Sequence, residues 1–386
     1  MSAAFDALSE EFVAAYARDL YHCSSCNYCV DAVWPERGMT AVCATMESHG
    51  RGPGYSGRGF IEAARAVFEG LAVDADALAT RVFTCTTCGN CERACPIGLR
   101  PASVGRALRA ELVARDALPP PLHALRAAME REGNPQGAPR AARHAWRERL
   151  VDDADAQAPV FFAGCAAALG DPDEARAALA LLRAAGLHAG LTESGCCGAP
   201  LTEIGCVREG EALLRAARGA LGEREAVIAG SECRRQFGAA RTHSVAGWLC
   251  AAWRAGRVHI GWRPEVTPPA QVTLVESCQL QAANRGEQGD EHAVAALFAA
   301  LGVELTRDDF PNRHATCCGA AGGMPRMAPD SAAAMARARL PPSGVALSLD
   351  TRCANHLRDA AAAGVTVLGF ARFVQRYFTV SVEDAR

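Results

Sequence analysis

Residues 85–101 read "CTTCGNCERACPIGLRP", which sets Cys85-x2-Cys88-x2-Cys91-x3-Cys95-Pro96. Three cysteines at this pitch wrap a short loop so that three sulfurs face one point, as the corners of an Fe–S cube require. In such a run the fourth cysteine typically ligates the other cluster of a two-cluster ferredoxin. Proline after it cannot continue a helix and turns the chain away. Structural zinc also takes four thiolates, but it usually uses two separated C-x2-C pairs. The spacing therefore points to [4Fe-4S] rather than zinc.

A second cluster needs a second triplet, and "CSSCNYC" supplies Cys23, Cys26 and Cys29. Its own fourth cysteine is missing, because "VDAVWP" follows, with Trp34 before Pro35; the next thiol is Cys43. The simplest assignment lets Cys95 complete the Cys85 loop and Cys43 the Cys23 loop; an exchange of these fourth ligands is the alternative. Around the loops, "EEFVAAYARDLY", "GFIEAARAVFEG", "DADALATRVF" and "SVGRALRAELVARDAL" space their apolar residues three or four apart, the helical period.

Eighteen cysteines in 386 residues would suggest disulfides in a secreted chain; in a reduced compartment thiols serve metal or redox work. The opening "MSAAFDALSEEFVAAYARDL" carries acids and no basic n-region, so it reads as an amphipathic helix and not a signal peptide. No apolar run approaches the roughly 20 residues of a membrane span. The expectation is a soluble, cytoplasmic protein. A net charge of −3 gives no electrostatic case for nucleic acid. All 40 basic residues are Arg, which removes Schiff-base chemistry and the P-loop lysine.

A linker from 116 to 158 mixes Pro, Gly and charge; its basic run "PRAARHAWRER" reads as a solvated helix face, with docking to an acidic partner as the alternative. From 159 onward the chain repeats itself. "VFFAGC" and "VTLVESC" end in Cys165 and Cys278, each followed by a helix closed by Gly186 or Gly302. "SGCCGAP" and "ATCCGAAGG" carry Cys196–Cys197 and Cys317–Cys318, and "VIAGSEC" and "ALSLDTRC" end in Cys233 and Cys353. Corresponding cysteines are 113, 121 and 120 residues apart, an internal duplication. Strands alternating with helices suggest two parallel α/β lobes, 159–262 and 263–386, related by a pseudo-two-fold axis. Loops after the strands converge at one edge of such a sheet. There they would bring a Cys, a Cys-Cys pair and a Cys together, with glycine permitting close backbone approach.

The doubled C-xn-CCG-xn-C pattern behind a two-cluster ferredoxin domain resembles the family of the D-type heterodisulfide reductase subunits. That family's relatives include the iron–sulfur subunits of glycolate oxidase and anaerobic glycerol-3-phosphate dehydrogenase. Residues 1–115 resemble the α-helical ferredoxin domain of succinate dehydrogenase iron–sulfur subunits. The resemblance implies two [4Fe-4S] clusters at Cys23, Cys26, Cys29, Cys43, Cys85, Cys88, Cys91 and Cys95. It implies one or two further Fe–S clusters at Cys165, Cys196, Cys197, Cys233, Cys278, Cys317, Cys318 and Cys353. Each family motif ends in Cys-x-x-Cys, whereas here Gln236 and His356 stand at the last position. His356 is an optional ligand there, and Cys206 or Cys250 could substitute in the first lobe.

Three functions are in competition. The first is an electron-transfer subunit of a multi-subunit oxidoreductase, joined to a flavoprotein dehydrogenase or other redox subunits. Any membrane association would be peripheral and through partners. No G-x-G-x-x-G follows a strand, so the organic chemistry falls to a partner. The second is a heterodisulfide or thiol reductase acting at a CCG-bound cluster, against which the missing fifth cysteines argue. The third is a zinc-bearing scaffold.

Overall fold

The computed structural model describes residues 4–31, 42–147, 155, 157–192, 194–283, 289–307 and 316–382. Trp34, Pro35 and positions 148–154 of the linker lie outside the described residues. The chain divides into two compact units, and their borders cross the divisions expected from sequence. The first unit combines Met1–Ala127 with Pro200–Glu211 and Asp309–Arg339; the second is formed by the rest.

The first unit is helical. Ser9, Ser56 and Asp74 cap α1 (Glu10–His22), α2 (Gly57–Phe68) and α3 (Ala75–Phe83), each accepting a backbone N–H three residues on. Pro101 occupies the first turn of α4 (Pro101–Val113). The apolar stripes expected from sequence are buried: Phe60, Ile61, Ala64 and Val67 on α2, and Val104, Leu108 and Leu112 on α4. Between these helices run the two cysteine loops. The short helices Met324–Met327 and Pro329–Arg337, which follow the second CCG motif, pack on α3 and on helix Ala44–Ser48 respectively.

The second unit holds both α/β lobes. One parallel sheet contains β1 (Val160–Phe162), β2 (Gly190–Leu191), β3 (Ala226–Ile228) and β4 (Thr242–Ser244), in the order β2-β1-β3-β4. After β5 (Val258–Trp262), the other sheet contains β6 (Val272–Val275), β7 (Leu305–Arg307), β8 (Gly344–Ser348) and β9 (Val365–Gly369). Its order, β7-β6-β8-β9, is the same order in the numbering of its own lobe. The closing strand β10 (Phe378–Val382) pairs antiparallel with its counterpart β5, Phe378 opposite Trp262 and Val382 opposite Val258. Equivalent strands paired antiparallel are what a local two-fold produces.

Helices α5 (Pro172–Ala184) and α8 (Asp290–Ala300) end alike. Gly186 and Gly302 take positive φ, and Leu187 and Val303 donate back to the carbonyls of Leu182 and Phe298, a Schellman cap in each lobe. One apolar core runs through both lobes, from Phe161 and Leu182 to Leu274, Phe298, Leu347 and Phe373. No described helix is long and apolar enough to cross a membrane.

Candidate metal centres

The two ferredoxin loops have one backbone design. Ser25 and Asn27 flank Cys26 with φ of 56° and 68°, and Thr87 and Gly89 flank Cys88 with φ of 55° and 79°. A left-handed step on each side of the middle cysteine reverses the chain twice within seven residues, which brings three side chains to one side. Asn27 and Gly89 take that step cheaply, whereas the β-branched Thr87 takes it at a cost that the loop imposes.

The structure places Cys95 beside the Cys23 loop and Cys43 beside the Cys85 loop, the arrangement of the exchange alternative and not of the simpler assignment. Cys95 lines a pocket with Cys23, Cys26 and Cys29. Burial pushes the Cys29 thiol up to about 12, and the neighbouring sulfurs Cys23, Cys26 and Cys95 add to the rise. Cys91 is pushed well above the ordinary value by burial and then by Cys88, Cys85 and Cys43. The physical reason lies in the short helix Asn90–Ala94. It packs on helix Tyr28–Asp31 and ends with Cys95 in extended conformation, so Cys95 is carried out of its own loop toward the other. Backbone N–H groups already point at sulfur: Thr87 donates to Cys85 Sγ at 3.3 Å and Leu99 to Cys95 Sγ at 3.3 Å.

The second CCG motif reaches the Cys85 loop within the same unit. The Cys317 thiol hydrogen-bonds Cys88, and this bond is the main cause of a Cys88 thiol lowered to about 6. Gly322, at φ 67°, lies against the Cys85–Thr86 backbone, where a Cβ would collide. Sequence reasoning missed the residue that ties this arrangement together. Arg109 on α4 is 0 % exposed and donates to the carbonyls of Val82, Cys85, Glu203 and Gly322. Glu203 in turn accepts from Gly322 N at 3.0 Å. One guanidinium thus joins the ferredoxin loop to the chain after both CCG motifs. Burial lowers Arg109 to about 10, so it remains a cation at neutral pH.

In the first lobe all four expected cysteines come together at the C-terminal edge of the sheet. Cys165 follows β1, Cys196 and Cys197 follow β2, and Cys233 stands in α6 (Ser231–Phe237) after β3. The Cys197 and Cys233 sulfurs are 3.1 Å apart. Cys165 hydrogen-bonds Cys196, and that bond with burial holds the Cys165 thiol well above its ordinary value. Gly164, at φ 70°, faces Cys233, and a Cβ there would stand 3.0 Å from its sulfur.

The described part of the "PRAARHAWRER" run is solvated on one face only: Arg140, Ala141 and Ala145 are exposed, while Arg143 and Trp146 are buried. Trp146 is buried edge-on against Phe161, and Arg143 is buried with its Nη1 donating to Cys165 Sγ at 3.1 Å. Tertiary contacts decide this segment, and no local signal announces it. Cys250, a substitute ligand on sequence grounds, packs in the apolar core on α7 (Val245–Arg254), where burial pushes it to about 12. Cys206 belongs to the first unit.

In the second lobe Cys278 follows β6, and Cys353 stands in α9 (Thr351–Ala360), its N–H bonded to the cap Asp350 at 3.0 Å. These two belong to the second unit and Cys317–Cys318 to the first. His356 lies one turn after Cys353 on α9, and Gln236 has the corresponding place on α6.

No disulfide joins any of the eighteen cysteines. Among the described residues no group of three or more His, Cys, Asp or Glu is placed to hold a single metal ion. Cube ligands lie further apart than the ligands of one tetrahedral ion, so two sets of four thiols that face a common space fit [4Fe-4S].

A 4Fe-4S dicluster domain model matches residues 19–99. A cysteine-rich domain model matches twice, over 160–237 and 272–341. The first of these includes all four lobe-one cysteines; the second includes Cys278, Cys317 and Cys318 and stops before Cys353. No curated protein and no solved structure matches the chain.

Proposed function

We propose a function on the premise that the chain belongs to the iron–sulfur proteins that join a 4Fe-4S dicluster domain to two cysteine-rich domains, the architecture of the D-type heterodisulfide reductase family. It is the electron-transfer subunit of a multi-subunit oxidoreductase in the cytoplasm, serving a flavoprotein dehydrogenase and a second carrier. When bound, the clusters supply the one-electron carriers. The observation that supports this reading best is the hydrogen bond between the thiols of Cys317, from a CCG motif, and Cys88, from the Cys85 loop.

The remaining residues divide the work. Cys23, Cys26, Cys29 and Cys95 hold one cube; Cys43, Cys85, Cys88 and Cys91 hold the other. Cys26 is exposed, and Tyr28 and Ile97 near it are 49 % and 52 % exposed, which gives a partner access to that centre. Arg109 fixes the Cys85 loop against the Cys317 segment. Cys165, Cys196, Cys197 and Cys233 hold a further Fe–S centre; Cys278, Cys317, Cys318 and Cys353, with His356 optional, are their counterparts in the repeated sequence. The reductase reading is the weaker one, because Gln236 and His356 replace the fifth thiol in both lobes.

EPR-monitored redox titration of anaerobically purified protein tests the proposal. Cys317→Ala should shift the signal of the Cys85-loop cube and leave that of the Cys23-loop cube in place. Identical spectra for variant and parent would remove the observation on which the reading rests.

A further inference from the structure

The two lobes repeat the same cysteines, yet one of them receives a residue from outside the duplication. Arg143 lies in the segment Arg140–Arg147, ahead of the first lobe, and the second lobe follows β5 without such a segment. Its side chain is 9 % exposed. Nη1 donates to Cys165 Sγ at 3.1 Å, and Nε donates to the Ser194 carbonyl at 3.3 Å, two residues before Cys196. Trp146, 6 % exposed and T-stacked on Phe161 at 5.7 Å, anchors the segment to the sheet. Gln136 adds a bond to the Cys165 carbonyl at 3.4 Å. A buried guanidinium costs free energy unless it faces charge, and among the described residues the charges set against Arg143 are the sulfurs of Cys165, Cys196 and Cys233.

We propose that Arg143 is a positioning residue that holds a positive charge on the lobe-one cysteine centre, raises its reduction potential, and so makes the two duplicated lobes unequal. This rests on the iron–sulfur reading given above. The step concerned is a one-electron reduction. An external reductant is oxidised by one electron, the centre gains it, and no bond forms or breaks. The added negative charge then faces a guanidinium that is already in place and shielded from water, where charge–charge attraction is strong. Charge and hydrogen bonds to sulfur are the levers that set such potentials.

The test is a dithionite-poised EPR titration of the full chain, with iron content measured on each sample. Arg143→Gln should keep the parent's iron content and make reduction of the lobe-one centre at least tenfold less favourable, a fall of about 59 mV for one electron. The lobe-one signal is identified as the one lost in Cys165→Ala. Arg143→Lys keeps the charge and should stay within half of the Gln shift. An unchanged potential in Arg143→Gln would overturn the proposal. So would a Lys variant that shifts as far as Gln, because packing and not charge would then set the value. If the Gln variant does not fold, the Lys variant decides alone: a fall below about 30 mV, roughly threefold, supports the charge, and a fall of about 59 mV or more, tenfold, overturns it. A parent in which Cys165→Ala removes neither iron nor a signal would sink the iron–sulfur reading of this lobe first, and the inference with it.

Discussion

Arg109 ties three stretches of the chain together through one buried side chain. It satisfies four carbonyls from three separate stretches of chain in a place water does not reach. Removing it leaves buried acceptors unpaired, each worth roughly 1–3 kcal/mol. Arg109→Leu is therefore expected to destabilise the cluster-loaded protein by about 3 kcal/mol or more, read as a urea midpoint. Arg109→Lys should recover less than half of this, since one ammonium cannot span four acceptors. A loss below about 1 kcal/mol would contradict the clamp. Little in the sequence announces this role. Arg109 sits one helical step from both Gly105 and Leu112 on the buried stripe of α4, a hint only in retrospect. Arg143 gives no hint at all, because its partner Cys165 is made close by tertiary packing.

At the scale of elements, loops and caps were legible and loop partnerships were not. Cysteine spacing of two is local, so each triplet could be read directly, as could the helices ended by Gly186 and Gly302. The C-x2-C-x2-C-x3-C-P spacing carries the exchange as its usual outcome, and the packing of helix Asn90–Ala94 on helix Tyr28–Asp31 decides between it and the simpler assignment. The exchange predicts non-additive iron loss. Cys95→Ser combined with Cys26→Ser should lose no more iron than either alone, about four per chain. Cys95→Ser combined with Cys88→Ser should lose about eight. Iron assay of the reverse pattern would restore the unswapped arrangement.

A second elemental prediction concerns Glu174 on α5. Its buried carboxyl accepts from the N–H groups of Ala371 at 2.9 Å and Arg372 at 3.1 Å, capping α10 (Phe370–Tyr377). Burial raises it from 4.5 to about 7; the two N–H bonds and Arg372 pull it down, and Asp171 pushes it up. A raised carboxyl contributes stability that is complete below 4.5 and lost as pH climbs through 7. Glu174→Gln should therefore flatten the decline in melting temperature between about pH 5 and pH 8, a difference of at most roughly 3 kcal/mol. Equal slopes for parent and variant would refute it.

For the whole molecule, the duplication was visible in three nearly constant offsets, and the repeated sheet order with paired β5 and β10 bears it out. The unit borders were not visible, because Pro200–Glu211 and Asp309–Arg339 leave their own lobes in sequence to join the ferredoxin helices. That excursion is what brings Cys317 to Cys88 and gives the molecule its claim to internal electron transfer. The most direct measurement is iron, zinc and sulfide content with EPR on protein purified without oxygen. The expected result is clearly more than about eight irons per chain, two cube signals, and a further signal lost in Cys318→Ala. Eight irons or fewer with zinc in the balance, and spectra untouched by Cys318→Ala, would contradict it.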